Sequence, residues 1–291
     1  MPAAGSASVG TIPVQQLRAG DHAFVSYDGD DADRDVVSAF AWAGLAEREK
    51  VLVLAAPKLH EDDVWDRLDA PGALLGAARE RGQLVVSSMR ALIHPDEAFT
   101  PQRQWQRISE ETDQALGEGY KGLRTYIDMH WVGDLNADVE MMKWRESHAH
   151  HLFVDRPYTE ICAYDSRWFT PDVLTAMHEA HPCRLLPALG ALHVEHTPGT
   201  VRLAGEADLA TRQEFIGALH EALRRLDGGE LTVDLSDLIF LSAACAVDLL
   251  RLVPADGRGR IRVRCGPVPA RLLKQAGADA MPQLLLSEVE R

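Results

Sequence analysis

Cysteine is scarce. Four cysteines occur in 291 residues, at Cys162, Cys183, Cys245 and Cys265, and no two stand as a C-x-x-C pair. Their settings are mostly apolar, so reduced, buried thiols of a cytosolic protein are expected rather than a disulfide framework. Positive charge is also short. Thirty Lys and Arg against 44 Asp and Glu leave a formal net charge of -14. That sign repels phosphate backbones and anionic lipid, so neither nucleic acid nor a membrane surface is an expected partner. No apolar run reaches the ~18 residues that a membrane span needs. Met1 to Gly10 is small and polar, without the basic start and apolar core of a signal peptide or anchor. A cytoplasmic location is expected, with residues 1–14 disordered.

Catalytic signatures are missing as well. The chain has no G-x-x-x-x-G-K-[ST], no Gly-x-Ser-x-Gly and no HExxH, and no cysteine has a histidine at the spacing of a known nucleophile motif. The loop after the first strand reads Asp28-Gly29-Asp30-Asp31-Ala32-Asp33. A phosphate cradle needs free backbone N–H groups and a lysine, and carboxylates would repel a triphosphate. Nucleotide hydrolysis is therefore rejected, and a non-enzymatic protein without cofactor or metal is expected. The same carboxylates suit a divalent cation chemically, but their spacing is not that of an EF-hand. Asp31 and Asp33 read more simply as charges at a helix N-terminus, each favourable by about 0.3–1 kcal/mol.

What is present is ordinary globular composition, 46% hydrophobic and 25% charged, at a length that favours two domains. Strands are expected at Ala23 to Tyr27, Lys50 to Ala56, Gln83 to Ser87, Leu123 to Met129 and Tyr158 to Tyr164. Helices of 10 to 18 residues separate them, at 33–48, 64–81 (interrupted near Pro71-Gly72), 100–119, 138–153 and 170–180. Alternation of this kind predicts a parallel sheet with helices on both faces. Pro182 to Pro198 reads as a connection. A smaller α/β unit follows, with strands near Leu189 to Val194, Thr200 to Leu203, Glu230 to Leu235, Arg260 to Arg264 and Leu284 to Leu286, and helices at 211–226, 243–252 and 268–276.

Open α/β sheets bind ligands beyond the C-terminal ends of their strands. Tyr27, Ser87, Asp128, His130, Trp131, Tyr164, Asp165 and Arg167 fall there. Asp128-Met129-His130-Trp131 places a carboxylate, an imidazole and an indole at one strand end, a mixture suited to a small polar or aromatic effector. A sheet edge that merely packs and caps is the bland alternative. The most metal-like string is Glu146-Ser147-His148-Ala149-His150-His151. On a helix its donors point to different faces, and a solvated helix end is the simpler reading; whether His148, His150 and His151 bind metal is left open, and no metal site is assigned. His178 and His181 are treated with the same caution. His22, just before the first strand, lies at the opposite end of the sheet from the ligand crevice and reads as structural.

Gly20-Asp21-His22-Ala23-Phe24-Val25-Ser26-Tyr27, Gly44 to Leu52, Gly82 to Val86, Gly119 to Arg124 and Cys162-Ala163-Tyr164-Asp165-Ser166-Arg167-Trp168-Phe169 together resemble the MEDS family, a sensory domain of methanogens and methylotrophs. The resemblance covers residues 15–185. It implies a sensory role and a RecA/KaiC-like fold, here without the P-loop. Downstream, Gly205-Glu206-Ala207-Asp208-Leu209-Ala210-Thr211 and the run from Val233 through Phe240-Leu241-Ser242-Ala243-Ala244-Cys245 to Leu250 resemble the STAS domain, the anti-sigma-factor-antagonist module, over about residues 189–289 of a second domain spanning 186–291. That resemblance implies docking onto an anti-sigma factor or a related HATPase-type kinase regulator, controlled in the family by phosphoserine at the strand-to-helix turn. In this chain Ser242 stands at the family's Asp and Ala243 at its phospho-acceptor. Ser242 is one residue early, and helix capping is its simpler role. The expected docking surface is Ser242, Ala243, Ala244, Cys245 and Val247. The expected function is a non-enzymatic regulator that senses a small effector through its first domain and signals through the second. A small-molecule- or metal-dependent enzyme using Asp128, His130 and Tyr164, and a dimerisation scaffold forming a homodimer, stand as alternatives.

Overall fold

The structure, a computed structural model, describes residues 10–68, 74–93, 98–135, 137–226, 229–253 and 259–289. The chain divides into two compact units, one built on Val14–Ala188 and the other on Leu189–Arg291 together with Thr11–Pro13. The strands of the first sheet are β1 (Thr11–Ile12), β2 (His22–Tyr27), β3 (Lys50–Leu54), β4 (Leu84–Ser87), β5 (Leu123–Asp128), β6 (Tyr158–Asp165) and β7 (Cys183–Leu185). Its helices are α1 (Asp30–Ala46), α2 (Glu61–Leu68), α3 (Leu74–Glu80), α4 (Met89–Leu92), α5 (Pro101–Gly117), α6 (Trp131–Asp134), α7 (Val139–His148) and α8 (Pro171–Ala180). The sheet has seven strands in the order β1-β7-β2-β6-β5-β3-β4, and β7 to β4 pair in parallel.

The sequence explains most of these elements. Every residue of β3, β5 and β6 is buried, as expected of strands covered on both faces. The Thr100 side chain accepts a hydrogen bond from the Arg103 amide at 3.2 Å and Pro101 takes the first helical position, so α5 starts where both residues favour a start. The Asp138 carboxylate caps α7 by accepting from the Met141 amide at 2.7 Å.

Several expectations need correction. Helix α1 begins at Asp30 behind Gly29, whose φ of +141° is a conformation that side chains strain to adopt. Asp33 is no cap: it is buried and accepts a hydrogen bond from the Tyr126 hydroxyl. The Asp31 side chain lies outside the described residues, as does the Pro71-Gly72 interruption. The stretch expected to connect the domains holds β7, paired with β2 through Ala23–Cys183 and Phe24–Arg184. Residues 1–9 lie outside the described residues, but regular structure begins at Thr11 and Val14 is buried, ahead of residue 15.

The second unit has strands β8 (Leu192–Thr197), β9 (Thr200–Ala207), β10 (Glu230–Leu241), β11 (Arg260–Cys265) and β12 (Leu284–Glu288), with helices α9 (Arg212–Arg225), α10 (Ala243–Arg251) and α11 (Pro267–Gln275). Its five-stranded sheet runs β12-β11-β10-β9-β8; β8 and β9 are antiparallel and the other pairs parallel. Phe215, Leu219, Leu235, Leu249 and Leu273 join the strands in one core. Strand β10 is longer than expected and slips register against β9 twice, between Asp234 and Asp237 and between Leu238 and Phe240. An extra residue breaks the in–out alternation and re-aims side chains. That is why Ile239 and Phe240, adjacent in sequence, both face solvent.

Candidate functional site

Parallel register sorts the chemistry of the first unit onto two faces. His22 lies opposite Glu160, Phe24 opposite Cys162 and Ser26 opposite Tyr164, while Tyr27 lies opposite Asp165 and Asp128 opposite Ala163. With a side-chain period of two, His22, Glu160, Cys162 and Tyr164 share one face. Tyr27, Tyr126, Asp128 and Asp165 share the other. Helices cover both faces, since Asp33 of α1 reaches Tyr126 and Arg145 of α7 reaches Glu160.

At the strand C-termini, five of the expected residues converge. The Tyr27 hydroxyl donates to Asp128 Oδ2 at 3.2 Å. His130 folds back on Asp128, with its amide 2.9 Å and its ring Nδ1 2.8 Å from Oδ1. Its Nε2 lies 3.9 Å from Asp165 Oδ2. Arg167 grips Asp165 through Nε at 2.9 Å and Nη2 at 2.7 Å, and reaches Asp30 at 2.8 Å. The hydrogen bond that the His130 ring donates to Asp128, opposed by partial burial and reinforced by the neighbouring carboxylates, raises the His130 pKa. The Arg167 bond lowers that of Asp165. Burial and the nearby carboxylates push the Tyr27 phenol far above its usual range.

Trp131 and Tyr164 do not join this group. Trp131 is buried against Phe99, ring centroids 4.5 Å apart. Tyr164 is buried on the opposite face, packed on Phe24 at 5.1 Å and Phe169. The aromatic ring beside His130 is the half-exposed Trp168, at 5.0 Å. Ser87 ends β4, whose carbonyl accepts from the Ala55 amide.

The histidine string does not converge. His148, His150 and His151 are exposed; His148 stacks on Trp144 and bonds its carbonyl at 2.7 Å, and His151 lies 3.1 Å from the His148 carbonyl. Glu146 turns inward instead and meets residues that no local spacing could have joined. His22 Nε2 lies 3.1 Å from Glu146 and 3.3 Å from Glu160. Arg145, fully buried, bonds Glu146 at 2.7 Å, Glu160 at 2.6 Å and Gln104 at 3.0 Å. His181, Cys162 and Tyr158 complete the cluster. Burial opposes charge here, but Arg145 and the histidines outweigh it and hold the Glu146 carboxyl at about 2. For His22, the two glutamates outweigh burial and raise its pKa. One signal was legible beforehand: Glu160 interrupts an apolar strand expected to be covered on both faces, and a fully buried carboxylate demands partners.

In the second unit, the Ser242 side chain accepts from the Cys245 amide at 3.2 Å and its own amide donates to the Ala207 carbonyl at 2.8 Å. Ala243 and Ala244 are exposed and Val247 is half-buried. Cys245 is fully buried, its thiol 3.5 Å from the Asp208 carbonyl, so it belongs to the core and not to the expected docking surface. Leu209 at 80% exposure and Phe240 at 51% flank the turn instead.

The family model for MEDS, the MEthanogen/methylotroph, DcmR Sensory domain, matches residues 21–182, more than half of the chain. The chain belongs to the MEDS family. Residues 192–286 match the model described as Mlab, STAS domain, so a MEDS domain is followed by a STAS domain. No curated protein matches the sequence. Among solved structures, the chain is similar to flagellar accessory protein FlaH from Methanocaldococcus jannaschii, at 11% identity and TM-score 0.40 over 64% of this chain and 76% of that one. It is also similar to a KaiC-like protein from Pyrococcus horikoshii OT3, at 9% identity and TM-score 0.41 over 62% and 75%. A MEDS domain joined to a STAS domain marks a regulatory, signalling protein. No helix among the described residues is long and apolar enough to cross a membrane.

Proposed function

We propose that this protein senses a small polar effector through its MEDS domain and answers through docking of its STAS domain onto an anti-sigma factor or a related ATPase-fold kinase regulator, without a phosphoserine switch. The observation that carries this reading is the turn between β10 and α10. Ala243 stands where the STAS pattern has its phospho-acceptor and has no hydroxyl to modify. The neighbouring Ser242 hydroxyl is engaged as the α10 cap. The double register slip in β10 turns Ile239 and Phe240 outward beside it, with Leu209 exposed in the adjoining loop. Exposed large apolar side chains of this kind favour a protein partner.

The effector reading rests on the strand-end group of Tyr27, Asp128, His130, Asp165 and Arg167, with Trp168 beside it. Its carboxylates and imidazole suit a ligand with hydrogen-bond donors or positive charge. The enzyme alternative weakens, because Tyr164 lies on the other face of the sheet from Asp128 and His130. Affinity capture with the full chain, with partners identified by mass spectrometry, tests the docking. Phe240→Glu should abolish recovery of an ATPase-fold regulator and Ser242→Ala should leave it intact. Recovery that requires phosphate on Ser242 would overturn the reading.

A further inference from the structure

The buried cluster on the other face of the MEDS sheet contains more than an ion-pair network. His22 comes from the start of β2, Cys162 from the middle of β6, Glu146 from α7 and His181 from just beyond α8. All four are almost wholly excluded from solvent. Each offers one donor atom, and these atoms all lie within 4.8 Å of one another. Tetrahedral zinc, with bonds of about 2.0 Å to nitrogen or oxygen and about 2.3 Å to sulfur, sets its ligand atoms roughly 3.3–3.8 Å apart. Here His22 Nε2 lies 3.1 Å from Glu146 Oε2 and 3.7 Å from Cys162 Sγ. His181 Nε2 lies 3.4 Å from Glu146 Oε2, and Cys162 Sγ 4.0 Å from Glu146 Oε1.

His181 supplies the independent observation. Its Nδ1 sits 2.7 Å from the Met177 carbonyl, which can only accept, so the proton is on Nδ1. The lone pair of Nε2 therefore points into the cluster, at a carboxylate, and this buried atom has no hydrogen-bond partner among the described residues. Two lone pairs facing each other at 3.4 Å repel, and a cation between them reverses the sign. A ring N–H held by a backbone carbonyl is also the arrangement that orients metal-bound histidines. We propose that His22, Glu146, Cys162 and His181 bind one divalent transition-metal ion, with zinc the best match to two imidazoles, a thiolate and a carboxylate. Glu160 stays outside the ligand set, held by Arg145 and Tyr158. The charges then close. Glu146, Glu160 and the Cys162 thiolate balance Arg145 and the dication.

A cavity of about 540 Å³, lined in part by His22, Glu146, His150, Phe153, Glu179 and His181, adjoins the cluster. It gives the ion a route in. This site lies across the sheet from the strand-end residues, so the two readings stand or fall separately.

Metal analysis of the untagged full chain, grown with zinc in the medium, should find one zinc per chain. Apoprotein titrated with cobalt(II) should develop the intense visible bands of tetrahedral cobalt and a thiolate-to-cobalt charge-transfer band in the near ultraviolet. Cys162→Ser should remove the charge-transfer band. His181→Gln should weaken binding at least 10- to 100-fold, with circular dichroism confirming that both variants fold. A combined His148→Ala, His150→Ala, His151→Ala variant should bind as the parent does. Should one single variant not fold, the other gives the same reading. The proposal is overturned if the folded parent retains no metal and shows no charge-transfer band. It is equally overturned if the band survives Cys162→Ser, or if binding is lost in the triple histidine variant but kept in His181→Gln.

Discussion

Replacing Arg145 by methionine removes the guanidinium from between Glu146 and Glu160 and keeps most of the side-chain volume. In the native protein, Arg145 bonds these carboxylates at 2.7 and 2.6 Å, and all three side chains are at most 1% exposed. Breaking a buried ion pair by removing one partner costs about 3–5 kcal/mol, because the charge left behind is neither solvated nor neutralised. For a unit of this size each kcal/mol moves the melting temperature by roughly 2–4 °C. Arg145→Met should therefore lower the MEDS-domain transition by about 6–20 °C. Differential scanning calorimetry of the full chain with chelator present measures this free of any bound ion, and the STAS-domain transition should not move. Adding Glu160→Gln to Arg145→Met should recover part of the loss, since one stranded charge is then gone. A fall of less than about 2 °C in Arg145→Met would refute the reasoning and would mean that water or relaxation reaches the cluster.

Ser242→Ala removes the α10 cap and should destabilise the STAS domain by about 1 kcal/mol, a shift of roughly 4–8 °C for a unit of that size, readable by thermal melting. Phe240→Glu changes a half-exposed side chain and should leave stability within about 0.5 kcal/mol, so any loss of partner capture reports the surface itself. His130 gives a pH dependence. Its folded pKa is raised by Asp128, with Asp165 and Asp33 adding to the effect, so its contribution is full below the ordinary imidazole value near pH 6.5 and fades as pH climbs through the raised value. Asp128→Asn should remove that fade, and urea midpoints measured from pH 6 to 9 would show parallel profiles for the two proteins if the pairing were absent.

The strands and most helices were legible because their signals are local: an apolar run for β3, Thr100-Pro101 for α5, the two signature stretches for the STAS sheet. The strand-end group was legible because a parallel sheet sends the residue after each strand to one edge. Tyr164 shows the limit of that argument, since being near a strand end does not decide the face, and one residue along the strand puts it on the other face of the sheet from Tyr27 and Asp165. Cys245 failed for a related reason: the first turn of α10 presents Ala243 and Ala244 outward and rotates the third residue into the core. The Glu146 cluster was out of reach, because its members lie at positions 22, 146, 162 and 181 and only the sheet register and two helices unite them. Asp33 was misassigned as a cap because its partner, Tyr126, sits on β5, and sequence spacing does not show which strand lies beneath α1.

Affinity capture from the protein's own host, comparing the parent chain with Phe240→Glu and Ser242→Ala, tests the central claim most directly. The account predicts an identified ATPase-fold regulator with the parent and with Ser242→Ala, lost with Phe240→Glu. Capture that is indifferent to Phe240→Glu, or that appears only when Ser242 carries phosphate, would contradict it.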